Sequence, residues 1–227
     1  MDLERNFSYG TPLSRADEIA DKKLRRIRDQ MLTDDPTLIT GTHYDKLEAL
    51  KKSPIYEGLK MMPKPAIHHT HLTATATLDF LLSFTMYDFV YYSEKLSKFI
   101  INHEGDVPES YVSCNNLRAY WQNAQSFDDY IKEKILMRPP VPEDHGIWKS
   151  FQHKFDLTFE LYNYDKFFEK VLYRTSKDYI KEMVTVVEYR HIFGCLFNDK
   201  HESLSLEEEL AIFYRVQEQI KKLFPLF

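Results

Sequence analysis

Cysteine, glycine and long apolar runs are scarce in this sequence, and each scarcity closes off a class of protein. Only two cysteines occur in 227 residues, Cys114 and Cys195. They lie far apart and in no metal-type spacing, so no disulfide framework is expected and a reducing compartment is the simpler inference. The six glycines are scattered singly, which leaves no phosphate-cradling loop and no nucleophile elbow. No window approaches the roughly 20 apolar residues of a membrane span. The polar start over 1–8 is followed by no apolar leader segment, so a cytoplasmic location is expected. No Lys/Arg-rich block is present either. The densest basic stretch, 22–28, alternates with apolar residues and is flanked by Asp21 and Asp29. With a formal net charge of -5, neither a nucleic acid nor a membrane is an expected partner.

What remains is an ordinary core-forming composition. Apolar residues make up 43% and aromatic residues 15% of the chain, enough for one packed domain or slightly more. Helical periodicity over 14–32 ends at Asp34-Asp35-Pro36, read as a helix terminator. A second short helix covers 44–51. Ser53-Pro54 then forms an N-cap with proline at the first helical position, opening a helix to residue 61. Pro63-Lys64-Pro65 breaks it. A strand is predicted over 66–72, a helix over 74–84, and a hairpin from the runs 88–92 and 96–101. Residues 105–116 read as loop, 127–137 as helix, and the proline-rich 138–144 as a linker. Two aromatic-rich helices follow over 148–162 and 164–181, then a β-branched strand over 183–189. After a loop over 198–203, Ser205 caps a helix to residue 223, with Glu207, Glu208 and Glu209 as favourable charge near its N-terminus. Strands separated by helices favour parallel βα units.

The chemistry-bearing segment is Lys64-Pro65-Ala66-Ile67-His68-His69-Thr70-His71-Leu72. On a strand, side chains alternate with period two, so His69 and His71 share a face while His68 and Thr70 point the other way. Two imidazoles at that spacing can reach one cation, and zinc suits neutral imidazole nitrogen. A pair of surface or core histidines carries the same signature, so the triplet alone leaves both readings open.

Landmarks in order around it are Ser53-Pro54-Ile55-Tyr56, Met62-Pro63-Lys64, His69-Thr70-His71, Ser126-Phe127-Asp128-Asp129, Ile147-Trp148-Lys149-Ser150-Phe151 and Val186-Val187-Glu188-Tyr189-Arg190. Together they resemble the N-terminal portion of the adenosine deaminase family of metallo-dependent hydrolases, in its growth-factor-related branch. The resemblance implies a (β/α)8 barrel with its site at the C-terminal ends of the strands. It also implies zinc-dependent hydrolysis of adenosine to inosine, with His69 and His71 as the first two zinc ligands. Trp148 would be a substrate-binding wall for an adenosine-type nucleoside, unless it is a helix-packing residue. The family's remaining ligands, its proton-transfer glutamate and its late aspartate pair follow the second strand, and none is found here. His191 and His201 come in the wrong context to replace them. Leu72, Thr73 and Ala74 follow the triplet where the family often has a sugar-contacting aspartate.

The expected fold class is therefore α/β and mostly helical: an incomplete TIM-type barrel, first strands only, with a helical extension over 1–62 and the barrel portion over 63–227. The site is an incomplete zinc site with no catalytic residue of its own, so the chain alone is expected to be inactive. The apolar clusters Phe80/Leu81/Leu82/Phe84 and Phe224/Leu226/Phe227 would then lack their family partners, which leaves a complementing chain, a homodimer or a degenerate copy that packs by itself. The alternative is a non-catalytic dimerisation or binding module derived from a deaminase. Three smaller features complete the reading. Asp128 and Asp129 are cap and dipole charge, and 87–92 either lines a groove or covers the barrel mouth. Glu188 and Arg190 form either an internal ion pair or a rim pair.

Overall fold

The structure, a computed structural model, describes residues 12–40, 43–137 and 146–225. The chain separates into two compact units, Met1–Pro63 and Lys64–Phe227.

In the first unit, helix α1 (Arg15–Asp34) opens on a capping box between Ser14 and Asp17. It ends where the sequence indicated. The Asp35 N–H donates to Met31 O, and the Asp35 carboxylate then caps a short 3-10 turn through the Thr37 N–H. Helix α2 spans His43–Lys51 and helix α3 spans Pro54–Lys60, with Ser53 as N-cap and Pro54 in the first turn. Gly58 lets α3 approach α1 closely, since a Cβ there would lie 3.3 Å from Leu24 Cδ2. No residue of α1 or α3 is buried, so this unit holds little core of its own.

The second unit is α/β and mainly helical. Strand β1 (Lys64–His71) pairs in parallel with β5 (Val184–Arg190). Everything between them forms one long crossover. It contains helix α4 (Leu78–Ser83), the antiparallel strands β2 (Val90–Ser93), β3 (Lys98–Ile101) and β4 (Val112–Ser113), and helices α5 (Cys114–Tyr120), α6 (Phe127–Ile135), α7 (Gly146–Asn163) and α8 (Asp165–Lys181). Helix α9 (Leu206–Leu223) follows β5. The antiparallel sheet runs in the order β3-β2-β4. The described residues form sheets of two and three strands, and these do not close into a barrel.

Several expectations need correction. The stretch 105–116 is not all loop, because Tyr91 and Tyr92 of β2 recruit Ser113 and Val112 as a third strand and α5 starts immediately after it. Pairing, not periodicity, decides a two-residue strand. The helix expected over 74–84 begins at Leu78, behind a 3-10 turn over Leu72–Ala74. The cluster Phe80/Leu81/Leu82/Phe84 finds its partners within this chain. Leu81, Leu82 and Phe84 are buried, and Phe84 stacks on Phe167 with centroids 4.3 Å apart. The expected linker 138–144 and the residues 226 and 227 of the C-terminal cluster lie outside the described residues.

Two cores result. One gathers Phe84, Val90, Tyr92, Phe127, Leu161 and Phe167 around the antiparallel sheet. The other joins Leu72, Phe168, Leu172, Leu196, Ile212 and Val216 between α8 and α9. Strand β3 is a sheet edge, and its backbone is blocked rather than left open. The Ile101 N–H donates to Glu160 Oε2 at 2.6 Å, and His201 Nε2 meets Ile101 O at 2.6 Å. Burial raises the Glu160 pKa above the usual carboxylate range.

Both cysteines are free. Burial pushes the Cys114 thiol up to about 12. The folded thiol therefore keeps its proton where the unfolded one, with a pKa of about 8.5, has lost it. Stability falls with rising pH across that window, by up to about 1.4 kcal/mol per pH unit. Urea unfolding between pH 9 and 11 is expected to be less steeply pH-dependent in Cys114→Ala than in the parent chain. A thiol reagent at neutral pH should label Cys195 first, with Cys114 reacting only on unfolding; equal rates would refute the burial argument.

Candidate metal centre

The two faces of the β1/β5 ribbon differ in chemistry. On one face Thr70 Oγ1 meets Tyr179 Oη at 3.3 Å, and Tyr189 Oη meets Ser176 Oγ at 3.1 Å and Thr175 Oγ1 at 3.3 Å. Tyr179, Ser176 and Thr175 all belong to α8, so this face is tied to the helix. Burial raises the Tyr189 pKa. The other face carries the histidines.

His69 and His71 project together, as the alternation of a strand requires. Their Nε2 atoms are 3.1 Å apart and their ring centroids 5.1 Å. Both residues are exposed. With zinc–nitrogen bonds of about 2.0–2.1 Å, two corners of a tetrahedron lie about 3.3–3.4 Å apart. The observed separation is close to that edge, so the pair fits two positions of a zinc site. Among the described residues there is no group of three His, Cys, Asp or Glu that could hold a metal ion. The remaining donors are thus not supplied by the described part of this chain.

His68 departs from the expected alternation. The ladder shifts register between Ile67 and Thr70, and this irregularity releases His68 from the Thr70 side. His68 Nδ1 lies 3.2 Å from Glu188 Oε1 on β5. Arg190 Nη2 donates to His68 O at 2.9 Å and reaches Glu188 Oε2 at 3.4 Å. The bond from His68 is the largest cause lowering the Glu188 pKa. Glu188 and Arg190 do form an ion pair, about half exposed. One face therefore carries His68, His69, His71, Glu188 and Arg190. Period-two counting missed His68 because a register shift has no single-strand signature.

Trp148 lies in the first turn of α7, 79% exposed, with its ring edge-on to Phe151 at 6.2 Å. Leu72, which follows the histidine triplet, is buried in the second core.

Beyond the end of β5 the chain is fastened by a residue the sequence reading misplaced. Glu209 was expected to be helix-end charge beside Glu207 and Glu208. Glu208 does complete a capping box with Ser205. Glu209 is instead fully buried: Oε2 meets His191 Nε2 at 2.8 Å, and Oε1 accepts from Gly194 N at 2.9 Å and Leu196 N at 3.2 Å. The available signal was spacing, since Glu209, Ile212 and Val216 form the buried stripe of α9. The cap of α6 is Ser126, which accepts from the Asp129 N–H and donates to its carboxylate, while Asp128 in the first turn pairs with Arg118 at 2.7 Å.

No protein-family model matches the sequence. Curated proteins do. Over the whole chain it is 23% identical to adenosine deaminase 2-A of Danio rerio, covering 48% of that protein. Over 81% of the chain it is 21% identical to an adenosine deaminase of Phlebotomus duboscqi, covering 38% of it. Over 62% it is 23% identical to human adenosine deaminase 2, covering 30%. The chain is similar, at low identity, to proteins named adenosine deaminase. It spans about half the length or less of the curated relatives it matches, so the resemblance drawn from the ordered landmarks holds for a part of such a protein. No helix among the described residues is long and apolar enough to cross a membrane.

Replacing Glu209 by alanine strands the ring of His191 and two backbone N–H groups in the interior. Loss of one partner from such a buried pair costs about 3–5 kcal/mol. Glu207→Ala, at an exposed position in the same turn, should stay within about 0.5 kcal/mol. Urea denaturation of both variants checks the contrast, and equal losses would remove Glu209 from its anchoring role.

Proposed function

We propose that this chain supplies two of the zinc ligands, His69 and His71, of an adenosine deaminase-type hydrolase whose remaining ligands and proton-transfer groups come from outside the described residues. The observation that carries it is the 3.1 Å separation of two Nε2 atoms near the C-terminal end of a parallel strand. That is where sites of α/β barrels lie, and relatives of the chain are named adenosine deaminases. In this reading β1 and β5 are the first two strands of a (β/α) barrel, open here, and the helical segment over 1–62 is an extension of it. Zinc held in such a site acidifies water for hydrolysis, the chemistry that converts adenosine to inosine.

The chain's own residues prepare the ligands. Tyr179 on Thr70 fixes the backbone between the two histidines, and the α8 anchor on Tyr189 holds the partner strand in register. His68, Glu188 and Arg190 interlock beside them, so β1 and β5 present one rigid polar face. Two histidines without further donors bind zinc weakly, and this chain alone is proposed not to deaminate adenosine.

A second reading, a non-catalytic module that binds a further copy of the chain, is favoured by α7. Trp148, Phe151 and Phe155 fall on one helix face at i, i+3 and i+7 and touch edge-on, with Trp148 and Phe151 exposed. The two readings give Trp148 different partners, a nucleoside or a second chain.

Zinc titration by calorimetry on the parent chain, His69→Ala and His71→Ala separates them. The deaminase reading expects binding in the parent, lost in both variants, with no ultraviolet change from adenosine to inosine. Binding indifferent to both variants overturns the ligand assignment. Deamination by the chain alone overturns the claim that it needs further groups. No zinc, together with a concentration-dependent dimer weakened by Trp148→Ala, supports the second reading.

A further inference from the structure

On the antiparallel-sheet side of α8 lies a cleft that the deaminase reading does not use. It has a volume of about 390 Å³ and is lined by Phe80 and Ser83 of α4, Phe84, Met86 and Tyr87 after it, and Lys170 of α8. Its walls are aromatic and its rim is cationic. Lys170 Nζ donates to Tyr87 Oη at 2.6 Å and rides 4.8 Å from the Tyr87 ring centroid. One helical turn on, the Arg174 guanidinium sits 5.3 Å over Phe80. Lys170 lines the cleft; Arg174 does not, but it stacks on the wall residue Phe80 from the same face of α8.

Carboxylates on α4, on α8 and in the loop after β5 pair with other cations. Asp199 is taken by Lys166, Glu169 by Arg215 and Asp79 by Lys132. Asp178 takes one edge of Arg174 through Nε and leaves the outer nitrogens of the fork. Among the described residues no carboxylate lies within ion-pair distance of Lys170. In a chain of net charge -5, an ammonium that faces an aromatic cleft without an acidic partner is a local reversal of sign. Volumes in this range suit a single small ligand, and few convergent polar groups set its orientation.

We propose that this cleft binds a small aryl carboxylate, its ring against Phe80 and Tyr87 and its carboxylate on Lys170, with the Arg174 guanidinium beside Phe80 as a second cation. Apolar walls supply burial for the ring, while the ammonium and the free edge of the guanidinium supply charge-assisted donors for the acid. The site is independent of the histidine pair and needs no zinc.

Phenylacetate and phenylacetamide, which share ring and size but differ in charge, are the probes. Saturation-transfer NMR on the full chain, followed by chemical-shift titration, measures each. A ligand of this size is expected to bind with Kd of about millimolar. The acid should bind about fivefold more tightly than the amide, and Lys170→Gln should erase that preference. Arg174→Gln, which leaves the Lys170–Tyr87 contact in place, should reduce the preference in the same direction. Circular dichroism confirms that each variant is folded. Three results overturn the proposal: equal binding of acid and amide, a preference that survives both substitutions, or no saturation transfer at about 10 mM of either probe.

Discussion

Helix α8 is the constraint around which the second unit is organised. Phe167 and Val171 go into the core of the antiparallel sheet, and Phe168 and Leu172, one residue on, go into the core shared with α9. Two neighbouring stripes of one helix are thus dry at once. The same helix carries Thr175, Ser176 and Tyr179, whose hydroxyls hold Tyr189 and Thr70. Rotating α8 by one residue would empty one core, overfill the other and release both strands of the parallel pair. Such repacking is costly because protein interiors are close-packed and core side chains occupy fixed rotamers.

With one face of the ribbon bound to α8, the opposite face is left to chemistry. Glu188 is held by His68 and Arg190, and His69 holds His71. These residues are polar and accessible, as a site to be completed by further donors requires. They stand on a backbone whose position is fixed from behind, which is the division of labour between rigid element and reactive side chain seen in preorganised sites.

Ionisable side chains, buried at Glu209 and partly exposed elsewhere, are spent on backbone groups. Glu209 accepts from one ring and two backbone amides, fastening the loop beyond β5 to the start of α9. Glu160 and His201 close the edge of β3 from two different segments. Arg118 bonds to Asp128 and to the Thr85 carbonyl. Each of these groups satisfies backbone that no regular ladder reaches, which is the condition for leaving a loop or an edge inside a fold.

Much was legible in the sequence. Local signals determined the helix caps at Ser53 and Ser205, the terminator at Asp35, both parallel strands, and the shared face of His69 and His71. Caps, proline stops and strand alternation act within a few residues, so one chain suffices to read them. Tertiary structure decided the rest. The register shift that turns His68 toward Glu188, the two-residue strand β4, the burial of Glu209, and the partners found by Leu81 and Phe84 all depend on residues distant in sequence. A strand's partner, a carboxylate's solvation and an apolar cluster's cover are properties of what arrives opposite. Periodicity cannot contain them. The histidine pair belongs to both accounts: the sequence set its spacing, and the attachment of the β1/β5 ribbon to α8 through Tyr189 and Thr70 decided that it faces outward.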